Sequence, residues 1–585
     1  MKKNWKRVTA LLCAFTAVVP AAACGVSDPS GANNADMSKA QLYVCNYSGG
    51  VGREWLDNII KRFQEDYATK KFTEDTVGVE VWVTGTEYDL ENYWGTQIER
   101  GCKETVFFLE DVNYRNAIAR GWVLDITDIV KEKKETDKNG NPISIEDKLM
   151  EDNMGFFKGD DGKYYGLPHY EIYSGLSYDV DTFDLYGLYF AAPNQENSKI
   201  LPHPSDYGTG VFIRKGTDAK KSCGPDGVYD TVDDGLPSSL LELMILCDKM
   251  LLHNVQPIQL SGMYASTYSS HLNCGLWASL AGYEQMRSNY TFEGKVEVVT
   301  GYSDESLFDG IPYVKKPITE WVDMTEETGY KAYDMASRYY ASAFVEIAEK
   351  EGWMSDDSYT ATVSHTGAQS SFIFGGVNGT VRTGMMVEGS YWYNEAEDAG
   401  TFDDYLEYVN SFGGNPNRNL AWMALPVTFD TTVTEGNGRT STFLDVGSTS
   451  CFINKNVEEN PGLMNACKDF MQFLFSDEEL SHFTEESGCA KPMKYELLDE
   501  DYDSLAPYFK SLWDVRKNSK VVLQYGENEV FRNHRADLLI YCDKEVCIPL
   551  GYRSFLTAIR EGKTATEAFE GTRRTQAQWE RFLNQ

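Results

Sequence analysis

Residues 40–130 alternate between two kinds of hydrophobic pattern, and this alternation limits the possible folds most strongly. The segment "AQLYVCN" has the pattern of a strand, and after a glycine-rich turn "REWLDNIIKRFQEDY" places apolar residues on one face of a helix. "VGVEVWV" predicts a second strand. "TVFFLED" is a continuous apolar run, as expected for a strand buried on both faces. Strand, helix, strand, helix and strand in this order predict an α/β fold with a largely parallel sheet.

The length and charge of the chain set two further bounds. With 585 residues, the chain is too long for a single hydrophobic core, so two or more lobes are expected. Its 89 acidic residues outnumber its 54 basic residues. The excess of acid argues against nucleic acid as a partner and against electrostatic binding to anionic lipid.

The first 40 residues have the features of an export signal and a tether. Basic residues precede an apolar stretch from Val8 to Val19, and three alanines come before Cys24. We expect residues 1–23 to be a signal peptide and Cys24 to carry lipid, with simple secretion as the alternative. Residues 24–40 are polar and rich in Gly, Ser and Asn, which is typical of a flexible tether. No later segment is apolar for long enough to span a membrane.

Ten more cysteines are scattered through the mature chain without any C-x-x-C pair. A zinc site is therefore not expected. Several of these cysteines lie in apolar periodic runs, such as Cys247 in "LLELMILCDKML", and are expected to be small core residues. Disulfides are possible, and the sequence does not pair them.

Five blocks of sequence, in order, resemble a known family. They are "VFFLEDVNYRNAIARGWVLDITDI", "GKYYGLPHYEIYSGLSYD", "MMVEGSYWYNEA", "FINKN" followed by "ACKDFMQFLFSDEE", and "AIREGKTATEAF". The chain resembles the extracellular solute-binding lipoproteins of bacterial ABC importers, in the carbohydrate-binding, maltose-binding-protein-like group. The resemblance covers nearly the whole chain after about residue 40.

The resemblance implies a two-lobed, type II periplasmic-binding-protein-like clamshell with crossing hinge strands. One lobe would comprise residues 41–170 plus 440–490, and the other residues 171–439 plus 491–585. Within the second lobe, residues from about 190 to 236 are loop-rich and are interpreted as an insertion. The implied function is capture of a carbohydrate, an oligosaccharide in particular, for import by the permease subunits of an ABC transporter.

Three adjacent rings in "EGSYWYNEA" are the strongest candidates for ligand contact. Three neighbouring side chains cannot all face one core, so at least one is expected to point elsewhere. Sugars have apolar C–H faces that stack on rings, and their hydroxyls need polar partners. We therefore predict that Tyr391 or Trp392 stacks on the ligand. The alternative is that all three rings pack between helices.

Two loops in the first lobe carry further candidates. In "NYSGGVGRE" a glycine-rich turn opens a helix, where free N–H groups can receive ligand oxygens. The family places ligand contacts in this loop, so Tyr47 and Glu54 are included, with an ordinary exposed cap as the alternative. Asp111 and Asn113 follow a buried strand at its carboxyl end, where α/β sheets present ligand sites. Otherwise they cap the next helix.

The segment "LPHYEIY" is predicted to cross between the lobes. Its residues His169, Tyr170 and Glu171 are candidate ligand contacts, and packing at the hinge is the alternative. In "SSHLNCGLWASLAGYE", His271 is a weaker candidate, and helix packing explains the nearby Trp277 equally well.

The stretch "CGPDGVYDTVDDGLP" is a candidate cation site. Its carboxylates come from one short loop, as a structural Ca²⁺ would need, but the EF-hand template fails because Thr231 replaces the required glycine. A solvated acidic hairpin is the favoured alternative. The carboxylates concerned are Asp226, Asp230, Asp233 and Asp234.

Catalysis finds little support in the sequence. G-x-S-x-G, H-E-x-x-H and Walker A motifs are absent, and the seven histidines are dispersed. We therefore expect a receptor without a catalytic cofactor, a monomer anchored by lipid to the extracellular face of the cell membrane. Two alternatives are a binding protein for a non-sugar solute, such as a peptide or polyamine, and a secreted glycosidase.

Overall fold

The computed structural model describes residues 35–47, 49–84, 93–110, 114–202, 211–377, 379–447, 449–538 and 555–584. The predicted signal peptide, Cys24 and most of the predicted tether lie outside these ranges. Within them, no helix is long and apolar enough to cross a membrane.

The strands in these ranges are β1 (Ala40–Asn46), β2 (Val79–Thr84), β3 (Val106–Leu109), β4 (Glu135–Thr136), β5 (Pro142–Ile143), β6 (Leu167–Pro168), β7 (Ser174–Asp179), β8 (Ile200–Pro202), β9 (Val211–Ile213), β10 (Val255–Gln259), β11 (Lys295–Ser306), β12 (Lys315–Asp323), β13 (Arg382–Gly389), β14 (Leu420–Met423), β15 (Thr442–Asp445), β16 (Ser450–Ile453) and β17 (Lys520–Leu523).

The α-helices in the same ranges are α1 (Glu54–Asp66), α2 (Tyr93–Glu99), α3 (Tyr114–Ala119), α4 (Thr127–Lys131), α5 (Ile145–Lys148), α6 (Glu151–Phe156), α7 (Val180–Tyr186), α8 (Leu240–Leu252), α9 (Ala265–Thr291), α10 (Ala336–Lys350), α11 (His365–Ile373), α12 (Trp392–Asp398), α13 (Thr401–Phe412), α14 (Pro461–Leu474), α15 (Asp477–Ser487), α16 (Asp499–Ser504), α17 (Pro507–Asn518), α18 (Glu529–Leu538), α19 (Phe555–Arg560), α20 (Ala565–Thr572) and α21 (Gln576–Leu583).

The first sheet has the order β2-β1-β3-β16-β6. Strand β1 runs parallel to β2 and β3, and β16 runs antiparallel to β3 and β6. All four residues of β3 are buried, as its continuous apolar sequence predicts. Helix α1 buries Trp55, Leu56, Ile59, Ile60 and Phe63 on one face, which confirms the predicted amphipathic helix. We call this sheet and its helices the first lobe.

The second sheet has the order β10-β13-β7-β14. Strand β13 runs parallel to β10, while β7 is antiparallel to both β13 and β14. The long helix α9 packs against β7 and β13, and Gly282 introduces a kink with its positive φ of 76°. We call this sheet and its helices the second lobe. The antiparallel ribbon β11–β12 extends it and was not predicted.

Three chain segments connect the lobes, namely those between β6 and β7, between β15 and β16, and between α15 and α16. They are hydrogen-bonded to one another: the N–H of Val446 donates to the carbonyl of Ile172, and that of Glu171 donates to the carbonyl of Ala490, both at 2.9 Å. "LPHYEIY" is thus a crossing segment, as predicted. The residue bounds predicted for the two lobes stay a prediction.

Candidate ligand-binding cleft

The segments that follow β1 and β13 meet between the two lobes. The ring of Tyr391 lies directly on the backbone of Gly50, where a Cβ would overlap it. The side-chain amide of Asn394 donates to the carbonyl of Gly50 at 3.4 Å and to that of Ser487. Both segments follow the carboxyl ends of parallel strands, which is where α/β folds bind ligands. We call this region, from Tyr47 and Gly50 in the first lobe to Tyr391 in the second, the cleft.

Tyr391 is the ring in the tyrosine–tryptophan–tyrosine run that lies between the lobes. It is partly buried, and burial raises the pKa of its hydroxyl well above the ordinary value. Glu395, Glu388 and Glu110 raise that pKa further through their negative charges. The ring therefore lies among carboxylates from both lobes, and its stacking on a ligand stays a prediction.

The structure argues against the predicted stacking role of Trp392. Its side chain is 0% exposed, and its indole N–H donates to the hydroxyl of Ser177 at 2.8 Å. Its ring packs edge-on against Phe372 and Tyr508, with centroids 6.1 and 5.4 Å away. Because this ring fills the core of the second lobe, a ligand in the cleft does not reach it.

Tyr47 and Glu54 flank the glycine-rich turn of the first lobe. Tyr47 is partly buried, and its N–H donates to the carbonyl of Phe108 at 3.0 Å. Glu54 is exposed in the first turn of α1. Burial raises the pKa of Asp398 in the second lobe, and the charge of Glu54 raises it further. These positions are compatible with the rim of the cleft.

The loop after β3 carries Asp111 and Asn113, which lie outside the described residues. The preceding residue, Glu110, accepts a hydrogen bond from the hydroxyl of Tyr170. Tyr170 is only 1% exposed. Its bond to Glu110 therefore lies in the interior and joins the crossing segment to the end of β3 in the first lobe. Glu110 was not among the predicted ligand contacts, although it directly follows β3 and precedes Asp111 in the sequence.

His169 is a packed residue rather than a ligand contact. It is 1% exposed and contacts the rings of Trp55 and Phe108, with centroids 5.1 and 4.9 Å away. Burial lowers the pKa of the imidazole well below its usual value, with a further contribution from the charge of Lys491. The predicted ligand role of His169 therefore does not fit the structure.

The predicted ligand role of Glu171 does not fit either. Its two carboxylate oxygens accept hydrogen bonds from Nε and Nη2 of Arg516 at 3.0 and 2.9 Å. Both side chains are buried. The alternative of packing at the hinge is therefore the better interpretation, because the carboxylate is buried and held in a bidentate ion pair.

His271 lies one turn after Tyr268 on α9, and the two ring centroids are 5.3 Å apart. His271 is partly buried, whereas Trp277 is fully buried in the core of the second lobe. On the same helix, burial raises the pKa of the Tyr268 hydroxyl, and the charges of Glu388 and Tyr391 raise it further.

The most strongly connected group in the cleft was missed by sequence reasoning. Glu388, at the end of β13, and Glu395, on α12, both accept hydrogen bonds from the side-chain amide of Gln369, at 3.2 and 3.0 Å. Both acids belong to the block "MMVEGSYWYNEA", so the position of Glu388 just after a buried apolar run was a usable signal.

The acidic loop is held together by its own hydrogen bonds. Asp226 accepts from the N–H of Val228 at 2.7 Å, Asp233 from that of Asp226 at 3.0 Å, and Asp234 from that of Asp230 at 2.9 Å. In the part of the chain that the structure describes, no group of three or more His, Cys, Asp or Glu is placed to hold a metal ion. This geometry favours the acidic hairpin, and Ca²⁺ binding stays an untested prediction.

Comparison with known proteins gives structural similarity only. No family model and no curated protein matches the chain. A solved chitin oligosaccharide binding protein is similar over 93% of this chain and 99% of that chain, at 14% identity and a TM-score of 0.50. The binding protein MsmE from Bacillus subtilis, in an open conformation, is similar over 94% of this chain and 99% of that chain, at 11% identity and a TM-score of 0.47. The SBP RafE in complex with raffinose is similar over 91% of this chain and 99% of that chain, at 12% identity and a TM-score of 0.46.

The similarity to the chitin oligosaccharide binding protein identifies the fold. The chain has the two-lobed α/β fold of the solute-binding proteins, the type II clamshell that the family resemblance implies. The crossing segments and the cleft at the carboxyl ends of β1 and β13 agree with that fold.

Proposed function

We propose that the protein is the extracellular substrate-binding lipoprotein of an ABC transporter and that it captures a carbohydrate, an oligosaccharide in particular, for import. The fold that it shares with a chitin oligosaccharide binding protein supports this proposal. The observation that carries it is the partly buried ring of Tyr391, which lies on the backbone of Gly50 between the lobes and whose hydroxyl is influenced by the charges of Glu395 and Glu388. A ring offers a surface for the C–H face of a sugar, and carboxylates accept hydrogen bonds from its hydroxyls.

The arrangement of the lobes suits ligand capture. Three hydrogen-bonded segments connect them, and ligand contacts from both lobes would stabilise one relative orientation. The expected partners are the sugar, the permease subunits of the transporter, and the membrane through a lipid on Cys24. We expect neither nucleic acid nor a second copy of the chain as a partner.

A thermal-shift screen against an oligosaccharide panel tests the proposal, followed by calorimetric titration of each hit. A ligand that binds only the folded state raises the melting temperature, by an amount that grows with concentration above Kd. We expect at least one oligosaccharide to do so and to bind with 1:1 stoichiometry. A panel without any carbohydrate hit, beside a peptide or polyamine that binds, would contradict the carbohydrate assignment.

A secreted glycosidase is the enzymatic alternative. Prolonged incubation of the protein with each bound oligosaccharide, followed by product analysis, separates the two possibilities. We expect the ligand to be recovered intact, because a receptor releases what it binds. Shortened products that accumulate in proportion to protein and time would instead establish hydrolysis.

A further inference from the structure

Two carboxylates of the second lobe share one hydrogen-bond donor group beside the cleft. Glu388 is 1% exposed, whereas Glu395 is partly exposed. The side-chain Nε2 of Gln369 donates to Oε1 of Glu388 at 3.2 Å and to Oε2 of Glu395 at 3.0 Å. Two acids are thus held next to each other through a single neutral amide.

Their negative charge has little compensation. Among the described residues, neither Glu388 nor Glu395 forms an ion pair with a lysine or arginine, and the basic group that acts on Glu395 is His365. The charge of Asp398 acts on Glu395 in the opposite sense. Burial raises the pKa of both carboxyls, and for Glu388 the charge of Glu395 adds to this effect. A buried carboxylate of this kind is costly, so it either takes up a proton or pairs with a positive charge.

The same group also has more acceptors than donors. Gln369 is fully buried, and among the described residues its Oε1 has no hydrogen-bond partner, although its Nε2 donates to both acids. Among the described residues, the N–H of Gly389 also donates to Glu388, at 3.2 Å. Because buried acceptors are normally satisfied, a ligand that carries several N–H donors completes this arrangement.

Two tyrosines interact electrostatically with these acids. Burial and then the charges of Glu395 and Glu388 raise the pKa of the Tyr391 hydroxyl, and burial and then the charge of Glu388 raise that of Tyr268. The groups of the first lobe that act on Tyr391 are Glu110 and Tyr47, one acidic and one aromatic. The faces of aromatic rings attract cations, so rings and carboxylates here favour the same kind of ligand.

We propose that the group formed by Glu388, Glu395, Gln369, Tyr268 and Tyr391 binds a protonated amine. This inference rests on the proposed function, because it names the chemistry of the ligand in the same cleft. The amine belongs to an amino sugar within an oligosaccharide or to a linear polyamine. In either source the ammonium group donates to the carboxylates and to Oε1 of Gln369.

Matched probes separate charge from shape. A β-1,4-linked tetramer of glucosamine and its N-acetylated counterpart have the same length and linkage and differ in positive charge. Spermidine provides an amine without a sugar, and a neutral gluco-oligosaccharide provides a sugar without an amine. Each probe is titrated calorimetrically against the full mature protein near neutral pH. We expect the amine-bearing probes to bind and the neutral probes to bind at least tenfold more weakly.

Glu388→Gln and Glu395→Gln test the assignment to residues. Each variant keeps the shape of the side chain and removes the charge, so folding should be retained, and a melting curve verifies it. We expect each to weaken binding of the amine-bearing probe by about 10- to 100-fold, the range for a lost charged hydrogen bond. The matched control is Asp404→Asn, an exposed acid on α13, which changes net charge equally and should alter affinity by less than about twofold.

The outcomes separate this inference from the proposed function. Equal binding of neutral and amine-bearing tetramers, unchanged in Glu388→Gln and Glu395→Gln, overturns the amine site and leaves the carbohydrate receptor intact. Binding of spermidine alone, lost in both variants, supports the amine site and contradicts the carbohydrate assignment. If no probe and no member of a wider sugar panel binds, both proposals fail.

Discussion

At the scale of single residues, Tyr391 and Trp392 are neighbours in sequence with opposite environments. We predict that Tyr391→Ala weakens ligand binding by about 1–2 kcal/mol, typical of a lost aromatic contact, or on the order of 5- to 30-fold in Kd. Tyr391→Ala should lower the free energy of unfolding by less than the loss of a fully buried ring does. Trp392→Ala should instead destabilise the fold by about 3–5 kcal/mol, because it removes a fully buried ring.

Calorimetric titration and urea denaturation of both variants measure these two effects. Tyr391→Phe is the control for the ring itself, since it keeps the stacking surface and loses only the hydroxyl. Normal binding by Tyr391→Ala would remove this ring from the binding site.

At the scale of elements, the hinge depends on a buried ion pair between the crossing segment and α17. We predict that Arg516→Met destabilises the protein by about 3–5 kcal/mol, because it leaves the Glu171 carboxylate buried without its partner. The double variant Glu171→Gln with Arg516→Met should be less destabilised than Arg516→Met alone. The single variant Glu171→Gln completes the cycle, and a cost for the double variant equal to the sum of the two single-variant costs would show that the pair is not energetically coupled.

The acidic loop gives a prediction about pH. Burial is the main cause that raises the pKa of Asp233 to about 7, from an ordinary value of about 3.9. Since the unfolded chain loses this proton at lower pH than the folded chain, the contribution of Asp233 to stability falls as pH rises from about 4 to 7. Asp233→Asn should therefore gain stability relative to the native protein across this window. Denaturation curves at several pH values measure the difference, with the exposed Asp230→Asn as control.

The same loop allows a test of Ca²⁺. Because its carboxylates accept hydrogen bonds from within the loop, we expect neither a chelator nor added Ca²⁺ to shift the melting temperature. A rise with Ca²⁺ that disappears in Asp233→Asn would establish a structural cation site instead.

At the scale of the whole molecule, the proposed receptor must stay near its transporter. Cys24 follows three alanines and precedes a polar segment, so we predict that it is lipidated and becomes the mature N-terminus. Cys24→Ser should release the folded protein into the medium while leaving ligand affinity unchanged. Fractionation of cells and medium with an antibody checks this, and unchanged membrane retention of Cys24→Ser would contradict the lipid anchor.

The sequence by itself determined the features that depend on local order along the chain. The alternation of strand and helix, the buried strand β3 and the apolar face of α1 follow from periodicity, because each element must bury one face. The positions of the crossing segment and of the aromatic run at the cleft came from the resemblance of ordered blocks of sequence to a known family. These predictions need no knowledge of which distant residues meet.

Only the tertiary structure decided which side chains face the cleft. Glu171 is paired with Arg516, 345 residues later, and sequence spacing does not reveal such a contact. In the same way, Glu388 meets Gln369 from α11 and Tyr268 from α9, so an unremarked acid becomes the centre of the candidate amine site. Between Tyr391 and Trp392, the packing of Phe372 and Tyr508 around the indole settles which ring lies between the lobes. Burial and pairing are set by neighbours in space, and those depend on the whole fold.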